Sequence, residues 1–449
     1  METGKWRAAL AAVVIIIVAL LSGLPGGVVA AQGGPIPTAT PFFAPLNDPA
    51  LIARLDHVEA ATAILRDLEP LRPVTRAFLT RPELLDYLRR MLDDEYPPAL
   101  ARADALFYHA FDFMPPDTDL RAVQLAVLDE QIGGFYDPDL QAMFVISAAQ
   151  EATAMTRILY AHEFTHALQD QHFDLVALGV DQAHFSAAPD AILARQALVE
   201  GDAMLLTEGY EAWLLRRSPA AAFDLLGEAL GVRTAALLAA PPITQAELLF
   251  PYTAGRDFAY ALFMKAGGWA GVDAAYARPP DSTEQVLHPD RYLAGDAPLA
   301  VALPPLEEAL GPGWTLLWER TLGEFTLREH LRQRLPRATA DSAAAGWGGD
   351  RYRLYVDADG RIVLALRLAW DTAADAAEFA AAYQGYAARL YDSPGFPVDE
   401  TTLCWYGEDV RCLQHGMVEA VVVRAPERAL AMAVLAQVGA GETVKEAEG

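Results

Sequence analysis

The sequence predicts a mainly helical α+β fold, and three observations carry the prediction. Apolar residues recur at helical intervals through most of residues 50–128, and again from Met155 to Arg217. Between these stretches, Gly133 to Ile146 reads as strand, turn, strand. From Tyr352 to Val438, strand and helix patterns alternate. With 449 residues, 53% of them hydrophobic, the chain can bury a sizeable core, and this length divides into two or three lobes.

Met1 to Ala31 has the layout of an export signal: Lys5 and Arg7, an unbroken apolar run from Ala8 to Leu21, and small residues at Val29-Ala30-Ala31. The run is short for a membrane span, which needs about 20 residues. Gly23 to Ala31 carries no charge, however, so a cleaved signal and an uncleaved anchor both stay open. Either places the rest of the chain outside the cytoplasm, secreted or tethered to the membrane. Residues 32–49 are rich in Pro and Gly and read as an extended linker.

Residues 50–128 read as helices packing on the core. Leu51, Ile52, Leu55 and Val58 recur at helix spacing, Thr80-Arg81-Pro82 opens a second helix, and Ala99 to Phe111 forms a third before Met114-Pro115-Pro116. Residues 129–337 read as the catalytic core. Within it, a long helix over Ala191 to Arg217 stands between Pro189-Asp190 and Ser218-Pro219, and Ala220 to Ala240 is helical. Phe250 to Arg256 reads as a loop leading into a helix through Lys265, and Pro304 to Leu335 as one or two helices. Residues 350–441 form a smaller α+β domain. Its strands fall at Tyr352–Val356, Ile362–Trp370, Leu403–Tyr406, Val410–Gln414 and Met417–Val423, with helices over Asp371–Leu390 and Pro426–Val438. Residues from 442 on read as a frayed tail.

The chemistry centres on His162-Glu163-Phe164-Thr165-His166, an H-E-x-x-H sequence in a helical stretch free of Gly and Pro from Met155 to His172. Residues four apart share a helix face, so His162 and His166 can aim ring nitrogens at one metal ion. Two imidazoles suit zinc, which in catalytic sites keeps a position for water. Glu163 can then act as general base on that water. The competing reading is an amphipathic helix with two histidines over a core.

Two plans for a third ligand compete. In H-E-x-x-H-x-x-G-x-x-H a glycine turns the chain so that a third histidine reaches the metal. His172 stands at that histidine position, but Gln169 replaces the glycine. If the helix runs on, six residues place His172 about 240° round from His166, off the metal face. The other plan uses a glutamate on a second helix: Glu200 sits among Leu198, Val199 and Met204, where an unpaired carboxylate is costly. His162, His166, Glu200 and water then make the His2Glu site, with Asp202 or Glu208 supporting it. Pairing of Glu200 with Arg195 is the alternative, and His184 is a rival ligand in a loop-like stretch.

At this point HEFTHALQDQHFDL followed by ALVEGDA resembles the gluzincin-type zinc metallopeptidases of bacteria, a secreted or surface-anchored group among them. The likeness extends over FPYTAGRDFAYAL, STEQVLHPDRYL and GWGGDRYRLY. It implies ligands His162, His166 and Glu200, Glu163 as base, and a zincin-like core with a small sheet beside the motif helix. An edge strand of such a sheet pairs with an extended substrate, although the Gln131 to Ser147 hairpin also reads as purely structural. For the oxyanion, Tyr252 and His288 are candidate donors, each with a surface or packing role as the alternative.

Composition excludes one class. The net charge of −26, from 34 basic and 60 acidic residues, repels phosphate backbones and disfavours nucleic acid. The two cysteines, Cys404 and Cys412, flank a hairpin turn and are either a cross-strand disulfide or two separate core thiols. The expected function is an extracytoplasmic zinc metallopeptidase acting on a peptide or protein. The alternatives are a zinc hydrolase of another amide or ester, and an inactive peptidase-like surface binding protein.

Overall fold

The computed structural model describes residues 44–45, 48–131, 134–138, 140–146, 153–180, 182–218, 220–229 and 234–439. The expected export segment, most of the linker and the expected tail lie outside the described residues. Among those described, no helix is long and apolar enough to cross a membrane. Helix outweighs strand among the described residues, 59% against 16%, so the class is α+β and mainly helical. The chain forms two compact units. The first comprises residues up to Pro98, Leu120–Ser186 and Ile192–Pro280; the second comprises Ala99–Asp119, Ala187–Ala191 and Asp281 onward.

In the first unit, α1 (Pro49–Arg66) starts at Asp48, whose carboxylate accepts from the Ala50 N–H at 2.9 Å, and ends at Asp67 in the left-handed region, φ 61°. Its buried face, Leu51, Leu55 and Val58, packs into a core shared with Ile158, Ala161 and Phe164. Strands β1 (Ala44–Pro45), β2 (Thr75–Leu79), β3 (Gly134–Asp137) and β4 (Ala142–Ile146) form a sheet in the order β1-β2-β4-β3. The β3–β4 hairpin is the one read from the sequence. Strand β2 corrects the all-helical reading of residues 50–128: Thr75 to Leu79 pairs in parallel with Ala142 to Ile146, a partner too distant in the chain for local periodicity to reveal.

Four further helices frame the site: α2 (Ala154–Phe173), α3 (Pro189–Arg217), α4 (Pro242–Lys265) and α5 (Trp269–Ala277). Helix α4 corrects the loop expected at Phe250 to Arg256, because it runs straight through Pro251. An interior proline costs a helix about 3 kcal/mol. Burial of Phe250, Tyr252, Phe258 and Leu262 on this helix offsets that, at about 1.5–3 kcal/mol for each fully buried large side chain. Helix α4 also lies directly on α3. A Cβ added at Gly201 would stand 2.0 Å from the Gly255 carbonyl oxygen, and one at Gly255 would stand 2.1 Å from that of Ala197. Only glycine at both positions permits this approach.

The second unit carries a seven-stranded antiparallel sheet in the order β5-β6-β7-β11-β10-β9-β8. Its strands are β5 (Trp314–Arg320), β6 (Trp347–Asp357), β7 (Ile362–Trp370), β8 (Phe396–Pro397), β9 (Thr402–Tyr406), β10 (Val410–His415) and β11 (Glu419–Ala425). Every residue of β7 is buried. Alternation along the strand explains this: Leu364, Leu366 and Leu368 join Phe379 and Tyr383 of α6 (Ala373–Tyr391) on one face. Val363 and Ala365 join Val434 and Val438 of α7 (Arg428–Gly439) on the other. The helices read over Pro304 to Leu335 are present at Glu307–Leu310 and Gly323–Arg332, and strand β5 corrects only the stretch between them. Its Trp and Thr residues are strand formers, and pairing with β6 secures them. Cys404 and Cys412 are direct cross-strand partners on β9 and β10 and are joined as a disulfide.

Candidate metal centre

Helix α2 is opened by Thr153, whose hydroxyl accepts from the Thr156 N–H at 3.2 Å, and it stays regular to Phe173. His162 and His166 therefore lie one turn apart on one face, their ring centroids 4.8 Å apart. Glu200, in the middle of α3, meets both: its Oε2 is 3.3 Å from His162 Nε2 and 3.6 Å from His166 Nε2. The three are buried, and their ligand atoms lie within 4.8 Å of one another, a set able to hold a metal ion. Arg195 is not the partner of Glu200; its Nη1 donates to the Leu178 carbonyl.

Hydrogen bonds on the far side of each ring orient the histidines. Thr207, two turns after Glu200 on α3, donates its hydroxyl to the Ala203 carbonyl at 2.7 Å. Its oxygen then serves as acceptor for His162 Nδ1 at 3.1 Å. His166 Nδ1 faces Gln169 Oε1 at 2.8 Å. When both rings are neutral, these partners place each proton on Nδ1, which leaves both Nε2 lone pairs toward Glu200. Three acceptors thus converge on one point. Consistent with this, His166 Nε2 and Glu200 Oε1 are buried without a hydrogen-bond partner, and a cation satisfies such a set.

The electrostatics favour a positive charge at the same point. Burial pulls His162 down to about 4. It also acts downward on His166, but the adjacent Glu200 carboxylate prevails and raises that group to about 9, while the two histidines hold Glu200 below the usual carboxylate range against its own burial. The cluster draws in one positive charge. Glu163, next along α2, accepts from the Tyr136 N–H of β3 at 3.0 Å through Oε2. Burial pushes its carboxyl up to about 8, with His166 acting the other way and Glu200 adding to the rise. Burial and the neighbouring charges thus drive the two carboxylates in opposite directions.

His172 lies outside this cluster: α2 continues past it, and its Nε2 meets the Glu69 carbonyl oxygen at 2.8 Å. The His184 side chain lies outside the described residues. Tyr252 is helical rather than in a loop, almost fully buried, with its ring 6.3 Å from that of His162 and nearly parallel to it. His288 belongs to the second unit, between two short helices, and pairs with Glu324 at 3.0 Å. Of the two supporting carboxylates expected, Glu208 pairs with Arg256, whereas Asp202 is bonded to Gln169. Thr207 and Gln169 escaped the sequence reading. The two-turn spacing of Thr207 from Glu200 was the available signal.

Residues 316–435 match the model of a family described as a domain of unknown function (DUF8575). The match runs from β5 into α7 and includes none of His162, Glu163, His166 and Glu200. No curated protein and no solved structure matches the chain.

Proposed function

We propose that this chain is a zinc-dependent metallopeptidase of gluzincin type, acting on peptides or proteins outside the cytoplasm, with a zincin-like core in the first unit. The observation that supports this most is the convergence of His162, His166 and Glu200 in one buried cluster with Glu163 held beside it. A nitrogen, nitrogen, carboxylate donor set suits zinc. When bound, the ion supplies a water acidic enough to ionise near neutral pH and polarises a carbonyl oxygen.

The chain's own residues do the rest. The Tyr136 N–H holds Glu163 Oε2, which leaves Oε1 to take a proton from water and deliver it to the departing amide nitrogen. Thr207 and Gln169 keep the ligand rings oriented. Strand β3 stands at one end of the described sheet, where main-chain groups can pair with an extended peptide. Tyr252, in the same unit as the ligands, carries over as the proposed oxyanion donor. The N-terminal apolar segment serves as export signal or tether.

The test is a library of unstructured peptides. We expect cleavage that 1,10-phenanthroline abolishes and added zinc restores. Cleavage indifferent to chelation contradicts the reading. Zinc-dependent turnover of simple esters or amides with peptides left intact favours the non-peptide hydrolase instead.

A further inference from the structure

Gln169 is held from three directions. Its Nε2 donates to the Val199 carbonyl and to Asp202 Oδ2, each at 2.9 Å. The Val199 carbonyl can only accept, so the orientation of the amide is settled: Oε1 turns to His166 Nδ1 and is satisfied only by a proton there. Asp202 is fixed in turn. Arg66, the last residue of α1, donates Nε and Nη2 to its two carboxylate oxygens at 2.6 and 3.0 Å, and the Tyr276 hydroxyl of α5 donates to Oδ2 at 2.8 Å. Arg66 also reaches Asp273 at 2.6 Å and lies over the Trp269 ring, 4.4 Å from its centroid. Arg66, Asp202 and Gln169 are all 0% exposed. A buried ion pair seldom stabilises more than apolar residues of the same volume would. What this one orders is a better account of its presence.

We propose that Gln169 and the Arg66–Asp202 pair are positioning residues of the metal centre. Arg66 orients Asp202, Asp202 and Val199 set the direction of the Gln169 amide, and Gln169 keeps the His166 proton on Nδ1 so that Nε2 presents its lone pair. Helix α1, which carries no motif, thereby becomes part of the site. The inference rests on the metal-binding reading above.

The test is zinc affinity of the full chain at pH 7, by competition with a chromophoric chelator. Gln169→Met keeps the volume and removes both hydrogen-bonding ends; Asp202→Asn keeps the shape and removes the charge. We expect each to bind zinc about 10–100-fold more weakly than the native chain. Glu59→Gln, which weakens a part-buried pair with Arg76 on the helix that carries Arg66, should leave affinity unchanged. The visible bands of the cobalt(II)-loaded protein should shift in Gln169→Met, a change that packing alone would not cause. If Gln169→Met does not fold, Asp202→Asn decides. Native affinity in the folded variants overturns the proposal, whereas failure of the native chain to bind zinc removes the metal reading beneath it.

Discussion

Glu163→Gln should leave the metal in place and lower peptide hydrolysis by about two to four orders of magnitude, the range of a general-base contribution. The substitution is nearly isosteric, and Glu163 is not among the three converging ligands. Its Oε2 contact with the Tyr136 N–H can be kept by the amide oxygen, so the helix and β3 should stay as they are. What is lost is the capacity to accept a proton. The separation matters: metal content reports on His162, His166 and Glu200, and turnover reports on Glu163. Single-turnover kinetics together with metal analysis of the same preparation check it. Undiminished turnover would remove Glu163 from the mechanism.

Asp112→Ala should destabilise the second unit by about 3–5 kcal/mol, a large part of the 5–15 kcal/mol that typically holds a domain. Asp112 follows the helix Pro98–Ala110 with φ 62° and binds both terminal nitrogens of Arg411, at 2.7 and 2.9 Å. The Tyr386 hydroxyl adds a bond at 2.6 Å, and Arg424 approaches at 3.4 Å. Arg411 is 2% exposed, so removal of the carboxylate strands a buried guanidinium. Although burial works against the charged form, Arg411 prevails and holds the Asp112 carboxyl well below the usual range. A depressed carboxyl contributes stability that is fully present above its unfolded value, near 3.9, and is lost as pH falls through the folded value. The difference in unfolding temperature between native protein and Asp112→Ala should therefore be largest near neutral pH and narrow below about pH 4. Calorimetry across that range measures it; an unchanged difference would mean that packing, not charge, carries the effect.

The site was more legible in the sequence than the fold around it, for reasons of distance. The i, i+4 spacing of His162 and His166 is local, and Glu200 stands out because it interrupts an apolar helix face. Cys404 and Cys412 could be paired because a short hairpin joins them. Strand β2 was hidden because its partner β4 lies elsewhere in the chain, and β5 because its edge is secured by β6. At Pro251 the local rule was sound but burial outweighed it, and the Gly201–Gly255 crossing that draws α4 onto α3 leaves no periodic trace. Gln169 looked like the wrong residue for a turn; its role depends on Asp202 and, through it, on a side chain about a hundred positions earlier.

The most direct measurement is metal content by mass spectrometry of the purified chain beside Glu200→Ala and His172→Ala. The account predicts one zinc per chain, lost in Glu200→Ala and retained in His172→Ala, because His172 is occupied with the Glu69 carbonyl. No zinc in the native chain, or zinc that survives Glu200→Ala and leaves with His172→Ala, would contradict it.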